Sequence, residues 1–107
     1  MLKLNEDTIN QLIIEIREGY NIPFFFSDEM LFQAIQEGNY YLSRLVGNID
    51  YDEDLQARML LKNYVLYSYH NRLDDFEDNY AKTIVAWQFD RIPKVDDDEG
   101  EDETEQE

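Results

Sequence analysis

The sequence predicts an all-α fold: a small bundle of about four helices with a long central helix and a disordered acidic C-terminal tail. Three observations predict it. Apolar residues recur at helical spacing in four separate stretches. No stretch carries a convincing strand pattern; Tyr64-Val65-Leu66-Tyr67 suits a strand by propensity but lies inside a longer helical period. Residues 96–107, DDDEGEDETEQE, hold nine acids and no base, and nothing after Val95 is apolar. The expected organisation is one helical domain over residues 1–92 and a tail over 93–107.

The first helix is expected to start at Asn5 or Asp7, both good N-caps, with acids beside the positive helix end. Ile9, Leu12, Ile13, Ile16 and Tyr20 form a single buried stripe, and Gly19 is its expected stop. Pro23 then holds Ile22 extended, and Phe24, Phe25 and Phe26 follow without helical spacing. Three consecutive aromatics cannot all enter one core. Either two are buried and one is partly covered, or they form an apolar knob for a neighbouring subunit.

Ser27 caps a second helix whose first turn holds Asp28 and Glu29. Leu31, Ala34, Ile35, Tyr41 or Leu42, and Leu45 mark its buried face, and Gly47 ends it. Gly38 falls inside that face, where it costs about 1 kcal/mol against Ala; close approach of another backbone would explain it. The linker GNIDYDED leads into the central stretch from Asp54 to Phe89, which holds seven aromatics. Leu55, Met59, Leu66 and Leu73 form one stripe there, with Leu60, Tyr64 and Tyr67 beside it. A face that wide belongs to a helix in the middle of a bundle. Asp74-Asp75 interrupts the pattern, and Phe76, Tyr80, Ile84 and Trp87 restart it as a fourth helix. Pro93 ends regular structure.

Of the formal charge of −16, the segment 1–95 carries nine bases against sixteen acids, or −7. Such a surface argues against wrapping DNA, which needs clustered Lys and Arg. The chain has no cysteine, which removes disulfide and thiolate chemistry and fits a reducing compartment. MLKLNEDTINQL lacks the apolar run of a signal peptide, and no stretch nears the ~20 apolar residues of a membrane span. A soluble chain that stays where it is made is expected.

Residues that could carry chemistry are few. Asp50, Asp52 and Asp54 alternate as in the opening of a calcium loop, but Leu55 and Leu61 occupy the positions where such a loop needs Gly and Glu. An acidic linker ending in a helix cap fits better. His70, the only histidine, cannot form a structural zinc site without cysteines. It could act as a base toward Ser68 or Ser43, yet no nucleophile-elbow or oxyanion signature accompanies it. The four glycines are isolated, so there is no phosphate loop. The tyrosines lack the interleaved bases of a nucleic-acid platform. The reading assigns no catalytic residue, no cofactor and no metal, and no enzyme is expected.

The order IPFFFSDEMLFQAIQEGNYYLSRL, an Asp-rich linker, and ARMLLKNYVLYSYHNRLDDFEDNYAKTIVAWQF resembles the small head–tail connector (head-completion) proteins of long-tailed bacteriophages. The likeness covers about residues 20–90. It rests on Ser27, Asp28, Glu29 and Gly38 in the second helix, then on Arg58, Leu60, Leu61, Tyr64 and Tyr67. Its most specific part is the segment Leu73–Tyr80, with Phe76, Asn79 and Tyr80 in the expected places. The acidic tail has no counterpart in that pattern, and the first helix matches only in being amphipathic.

The resemblance implies a ring of identical subunits beneath the portal protein, extending the channel and presenting a surface to the next connector or tail-completion protein. DNA passes through the lumen without sequence-specific binding, and no membrane is involved. The implied location is the virion head–tail junction, with host cytoplasm during assembly. Head-to-tail contacts that close by rotation make such a ring from one chain, and an acidic lumen lets DNA slide without sticking. The expected interface residues are Phe24, Phe25, Phe26, Trp87, Phe89 and Ile92; Tyr64, Tyr67, Phe76, Asn79 and Tyr80 are expected to be structural. The rival readings are an acidic DNA mimic that inhibits a nucleic-acid-binding protein or a small helical protein-binding inhibitor, and a small hydrolase using His70. The tail is either a solvated run or an electrostatic docking element.

Overall fold

A computed structural model describes residues 4–91, which form four helices: α1 (Glu6–Tyr20), α2 (Asp28–Val46), α3 (Leu55–Tyr69) and α4 (Leu73–Arg91). No strand occurs among the described residues. Ile92, the boundary at 92/93 and the acidic tail lie outside them.

Helix α1 begins where its sequence asks for it, with the Asn5 side chain accepting from the Thr8 amide at 2.8 Å. Ile9, Leu12, Ile13 and Ile16 are buried along one stripe. Gly19 is not its stop. The helix runs on to Tyr20 and ends at Asn21, whose φ of 54° is left-handed. Asn tolerates that conformation better than most residues, and Pro23 two positions on prevents continuation.

The chain then turns back through Pro23–Phe26, closed by the Phe26 amide donating to the Pro23 carbonyl at 3.1 Å. Ser27 caps α2, accepting from the Met30 amide at 3.2 Å. Leu31, Ala34, Ile35, Gly38 and Leu42 face inward, so Leu42 and not Tyr41 continues the core stripe. Leu45, expected inside, is 39% exposed. Gly47 ends the helix at φ 91°.

The acidic linker is more than a connector. Ile49 and Tyr51 are buried, and the Tyr51 hydroxyl donates to Asn39 Oδ1 at 2.9 Å inside the core. The alternating aspartates divide three tasks. Asp50 accepts from the Asp52 amide at 3.0 Å, forming an Asx turn. Asp52 accepts from Thr8 Oγ1 and Arg58. Asp54 caps α3 through the Ala57 amide at 3.0 Å.

Helix α3 packs against all three other helices and is the centre of the bundle. It is not long. At 15 residues it is shorter than α2 and α4, each of 19. Its fully buried residues are Ala57, Leu60, Leu61 and Val65, while Leu55, expected on the core stripe, is 68% exposed. The break falls at His70–Arg72, ahead of Asp74-Asp75. Asn71 is left-handed at φ 58°, the Arg72 amide donates to the Tyr67 carbonyl and the Asn71 amide to that of Ser68. This is a Schellman closure with Asn in the glycine role. Asp74 and Asp75 sit instead in the first turn of α4, where acids oppose the positive helix end. Phe76, Ile84 and Trp87 then face the core.

Gly38 sits against α3. A β-carbon there would lie 2.6 Å from Leu61 Cδ1 and 2.9 Å from Tyr64 Cδ1. The close neighbours are side chains of α3, not its backbone.

Candidate assembly surface

The structure divides the six residues expected at an interface. Phe24 and Phe25 occupy the two central positions of the Pro23–Phe26 turn, and residues at a turn's tip point away from the body. They are 92% and 74% exposed, with ring centroids 6.3 Å apart. Phe26, at the returning end, packs edge-on against Tyr69 with centroids 4.8 Å apart. Two of the three phenylalanines are therefore out and one is partly covered, the reverse of two buried and one partly covered.

The turn is fixed by Arg17. Its guanidinium donates to the Pro23 carbonyl at 3.2 Å, the Phe26 carbonyl at 2.5 Å and Asp28 Oδ1 at 2.9 Å. One side chain thus holds both ends of the turn and the start of α2. The phenyl pair stands on a braced support.

Trp87 is not part of any exposed surface. It is 1% exposed, and its indole N–H donates to Asp54 Oδ2 at 2.9 Å. A buried Trp needs a partner for that N–H, and the α3 cap supplies it. Phe89, two residues on, turns to the opposite side of α4 and is 67% exposed. With Val85, 50% exposed, and the exposed Ala81, it makes an outer apolar stripe on α4. Gln88 reaches the Leu45 carbonyl and Arg91 the Asn48 carbonyl, so this part of α4 lies beside the C-terminal end of α2. The phenyl pair lies at the other end of that helix, about 28 Å away along a 19-residue rise. The expected residues form two surfaces, not one.

The five residues expected to be structural do converge. Phe76 is wholly buried, with Tyr64, Tyr67 and Tyr80 centred 5.5, 5.7 and 4.9 Å from it. Asn79 Nδ2 donates to the Tyr67 hydroxyl at 3.1 Å. Burial pushes the Tyr64 and Tyr80 phenols above the ordinary tyrosine range.

A third surface feature arises only from the packing of two helices. Between α2 and α3 lies an open groove of about 650 Å³ lined by Gln36, Glu37, Tyr40, Tyr41, Arg44 and Leu45 of α2 and Tyr64 of α3. Tyr41 and Tyr64 form a tilted pair at 5.5 Å, while Tyr40 and Leu45 stand exposed. The signal was the doublet Tyr40-Tyr41: adjacent helical residues are about 100° apart, so both cannot face one core.

Charge is distributed unevenly. Of the seven Lys and Arg among residues 4–91, five are tied to carboxylates: Arg17 to Asp28, Arg58 and Lys62 to Glu15, Arg72 to Asp75, and Arg91 to Asp54. Arg44 and Lys82 have no ion pair among the described residues. The exterior field is therefore set by acids. His70 is exposed at the end of α3, its ring edge-on to Tyr69. Ser43 is buried on α2 with its hydroxyl donating to the Tyr40 carbonyl. No cluster of three His, Asp or Glu suited to a metal occurs among the described residues, and none of their helices is long and apolar enough to cross a membrane. Compared with protein-family profiles, curated proteins and solved structures, the chain matches none.

Proposed function

We propose that this chain is a non-enzymatic structural subunit that works by assembling with copies of itself, in the manner of the phage head–tail connectors its sequence resembles. In that role it forms a ring under the portal protein, extends the DNA channel and joins the head to the next connector or tail component. The observation that carries the proposal is the phenyl pair Phe24–Phe25, exposed on a turn that Arg17 braces at both ends. A small monomer gains nothing from holding two large apolar side chains rigidly in water, whereas a contact surface does. The internal pairing of most cations supports the channel role, because an exterior dominated by acids repels a passing phosphate backbone.

The experiment is native mass spectrometry and sedimentation of the full chain, alone at high concentration and with a portal protein. A discrete ring-sized species in either condition is the expected result. A strict monomer in both would overturn the proposal. The same acidic exterior favours a second reading, a DNA mimic that occupies a nucleic-acid-binding protein. Deleting residues 96–107 separates the two: a mimic relying on those nine acids loses binding, and a connector still assembles.

A further inference from the structure

We infer that the phenyl pair of one copy seats in the α2–α3 groove of a second copy, so that the contact joins two different patches of the same chain. This rests on the self-assembly reading above and specifies which surfaces meet.

The first argument is placement. Phe24 and Phe25 precede the N-terminus of α2, and the groove is lined by residues 36–45 of its second half. At 1.5 Å per residue the two lie roughly 15–25 Å apart along one rigid helix. A protomer's phenyl pair cannot reach its own groove, so a pair seated there comes from a second copy.

The second argument is fit. The groove is aromatic on its floor, from Tyr41 and Tyr64, and apolar at its rim, from Leu45. Its volume, about 650 Å³, lies in the range of sites that take compact apolar ligands. Two phenyl side chains bury ~300–500 Å² when covered. That is the central anchor of an interface of about 800 Å² per partner, and the remainder comes from the surrounding rim.

The third argument is charge. Two copies of a chain at −16 repel each other over most of their surfaces. Arg44 stands at the groove, stacked over the Tyr40 ring at 5.5 Å, with no carboxylate of its own. The phenyl pair is followed at once by Asp28 and Glu29, both exposed in the first turn of α2. Asp28 already holds Arg17, which leaves Glu29 as the partner that the groove cation lacks. Glu37 also lines the groove, so the acidic flank of the pair has one cation to meet, Arg44, about two turns along α2 from that acid.

Complementation tests this. The double variant F24S/F25S keeps the groove and loses the pair; Y40E/L45E keeps the pair and spoils the groove. All four positions are exposed, so both variants are expected to fold, which circular dichroism checks. Each alone should associate at least tenfold more weakly than the parent chain in sedimentation. Mixed, they should form a one-to-one heterodimer and nothing larger. Charge reversal adds a second readout: R44E should weaken association and E29R in the same chain should restore it. Self-association of F24S/F25S at the parent's strength overturns the inference while leaving the assembly reading intact, and directs attention to Val85 and Phe89. Mixing without heterodimer formation also overturns it. A parent chain that stays monomeric throughout, with and without portal protein, removes both.

Discussion

Trp87 donates its indole N–H to Oδ2 of Asp54 at 2.9 Å, while Oδ1 of the same carboxylate caps α3 through the Ala57 amide. Arg91 reaches Oδ2 as well, at 2.5 Å. A single side chain therefore starts α3, fixes the end of α4 and satisfies the largest buried side chain in the protein. Burial opposes ionisation of Asp54, yet the indole, the Ala57 amide and Arg91 together hold its carboxyl below the usual range.

Asp54→Ala should cost about 2–4 kcal/mol, combining a lost N-cap with an orphaned indole N–H. Asp54→Asn should recover only the cap, about 1 kcal/mol, because its amide NH2 would then face two donors, Trp87 and Arg91. Urea unfolding followed by the fluorescence of Trp87 measures both. Equal stability of the Asn variant and the parent would show that the indole bond contributes nothing.

Gly38 supplies a prediction in which two effects oppose each other. Replacing Gly by Ala in a helix normally gains about 1 kcal/mol. Here the added methyl would sit 2.6 Å from Leu61 and 2.9 Å from Tyr64. Leu61 is fully buried and has little room to yield, while Tyr64, half-buried between Tyr41 and Phe76 and bordering the groove, can shift only in part. Overpacking costs of ~1–3 kcal/mol should win. Gly38→Ala is expected to lose about 1 kcal/mol and Gly38→Val about 3 kcal/mol, read as shifts in the urea midpoint. A stabilised Ala variant would mean that α2 and α3 sit further apart.

Acid should weaken specific pairs. The Arg58 guanidinium, bonded to both oxygens of Glu15, and Lys62 hold the Glu15 carboxyl below its usual range against a smaller burial effect. A carboxyl whose folded pKa is depressed stabilises the fold fully above its unfolded pKa, near 4, and loses that contribution as pH falls through the folded value. Relief of repulsion among the other acids works the opposite way over the same range. The difference between parent and Arg58→Met reads the whole contribution of Arg58, which besides Glu15 also bonds Asp52 and the Tyr51 carbonyl. Their gap in melting temperature should be constant above about pH 5 and should narrow below pH 4. A gap independent of pH would place the role of Arg58 in packing alone.

Much of the architecture was legible because local chemistry and tertiary packing agree. Asn5, Ser27 and Asp54 are caps both in the sequence and in the fold, and the stripe Ile9–Ile16 has one face to bury. The central helix is shorter than its sequence suggests because Asn71, a left-handed stop without a glycine, looks like any polar residue in a helix. The α3 core stripe differs from the expected one because α3 is apolar on several sides, and periodicity then no longer selects one face. The burial of Trp87 is not visible in the sequence because the partner of its N–H lies 33 residues earlier, in an acidic linker. The groove was invisible for a similar reason. Its walls come from two helices, and only packing brings Tyr40, Leu45 and Tyr64 together.

The three phenylalanines should separate cleanly by mutation. Phe24 and Phe25 lie at the tip of a hydrogen-bonded turn and touch chiefly each other, so Phe24→Ala and Phe25→Ala should each change stability by under about 0.5 kcal/mol. Phe26 folds back onto Tyr69, and truncating a half-buried ring should cost about 2 kcal/mol, less than the 3–5 of a full core site. Arg17 decides whether the tip is rigid. Arg17→Met removes three hydrogen bonds to the turn and the α2 start, leaving the Pro23 and Phe26 carbonyls without that donor. The expected loss in global stability is modest, about 1–2 kcal/mol. The local effect should be larger: a protease that cleaves after aromatic residues should cut at 24–26 many times faster in Arg17→Met than in the parent, under conditions where both are folded. Equal cleavage rates would mean that the turn is held by its own Pro23–Phe26 bond, and that the phenyl pair owes its rigidity to the backbone and not to Arg17.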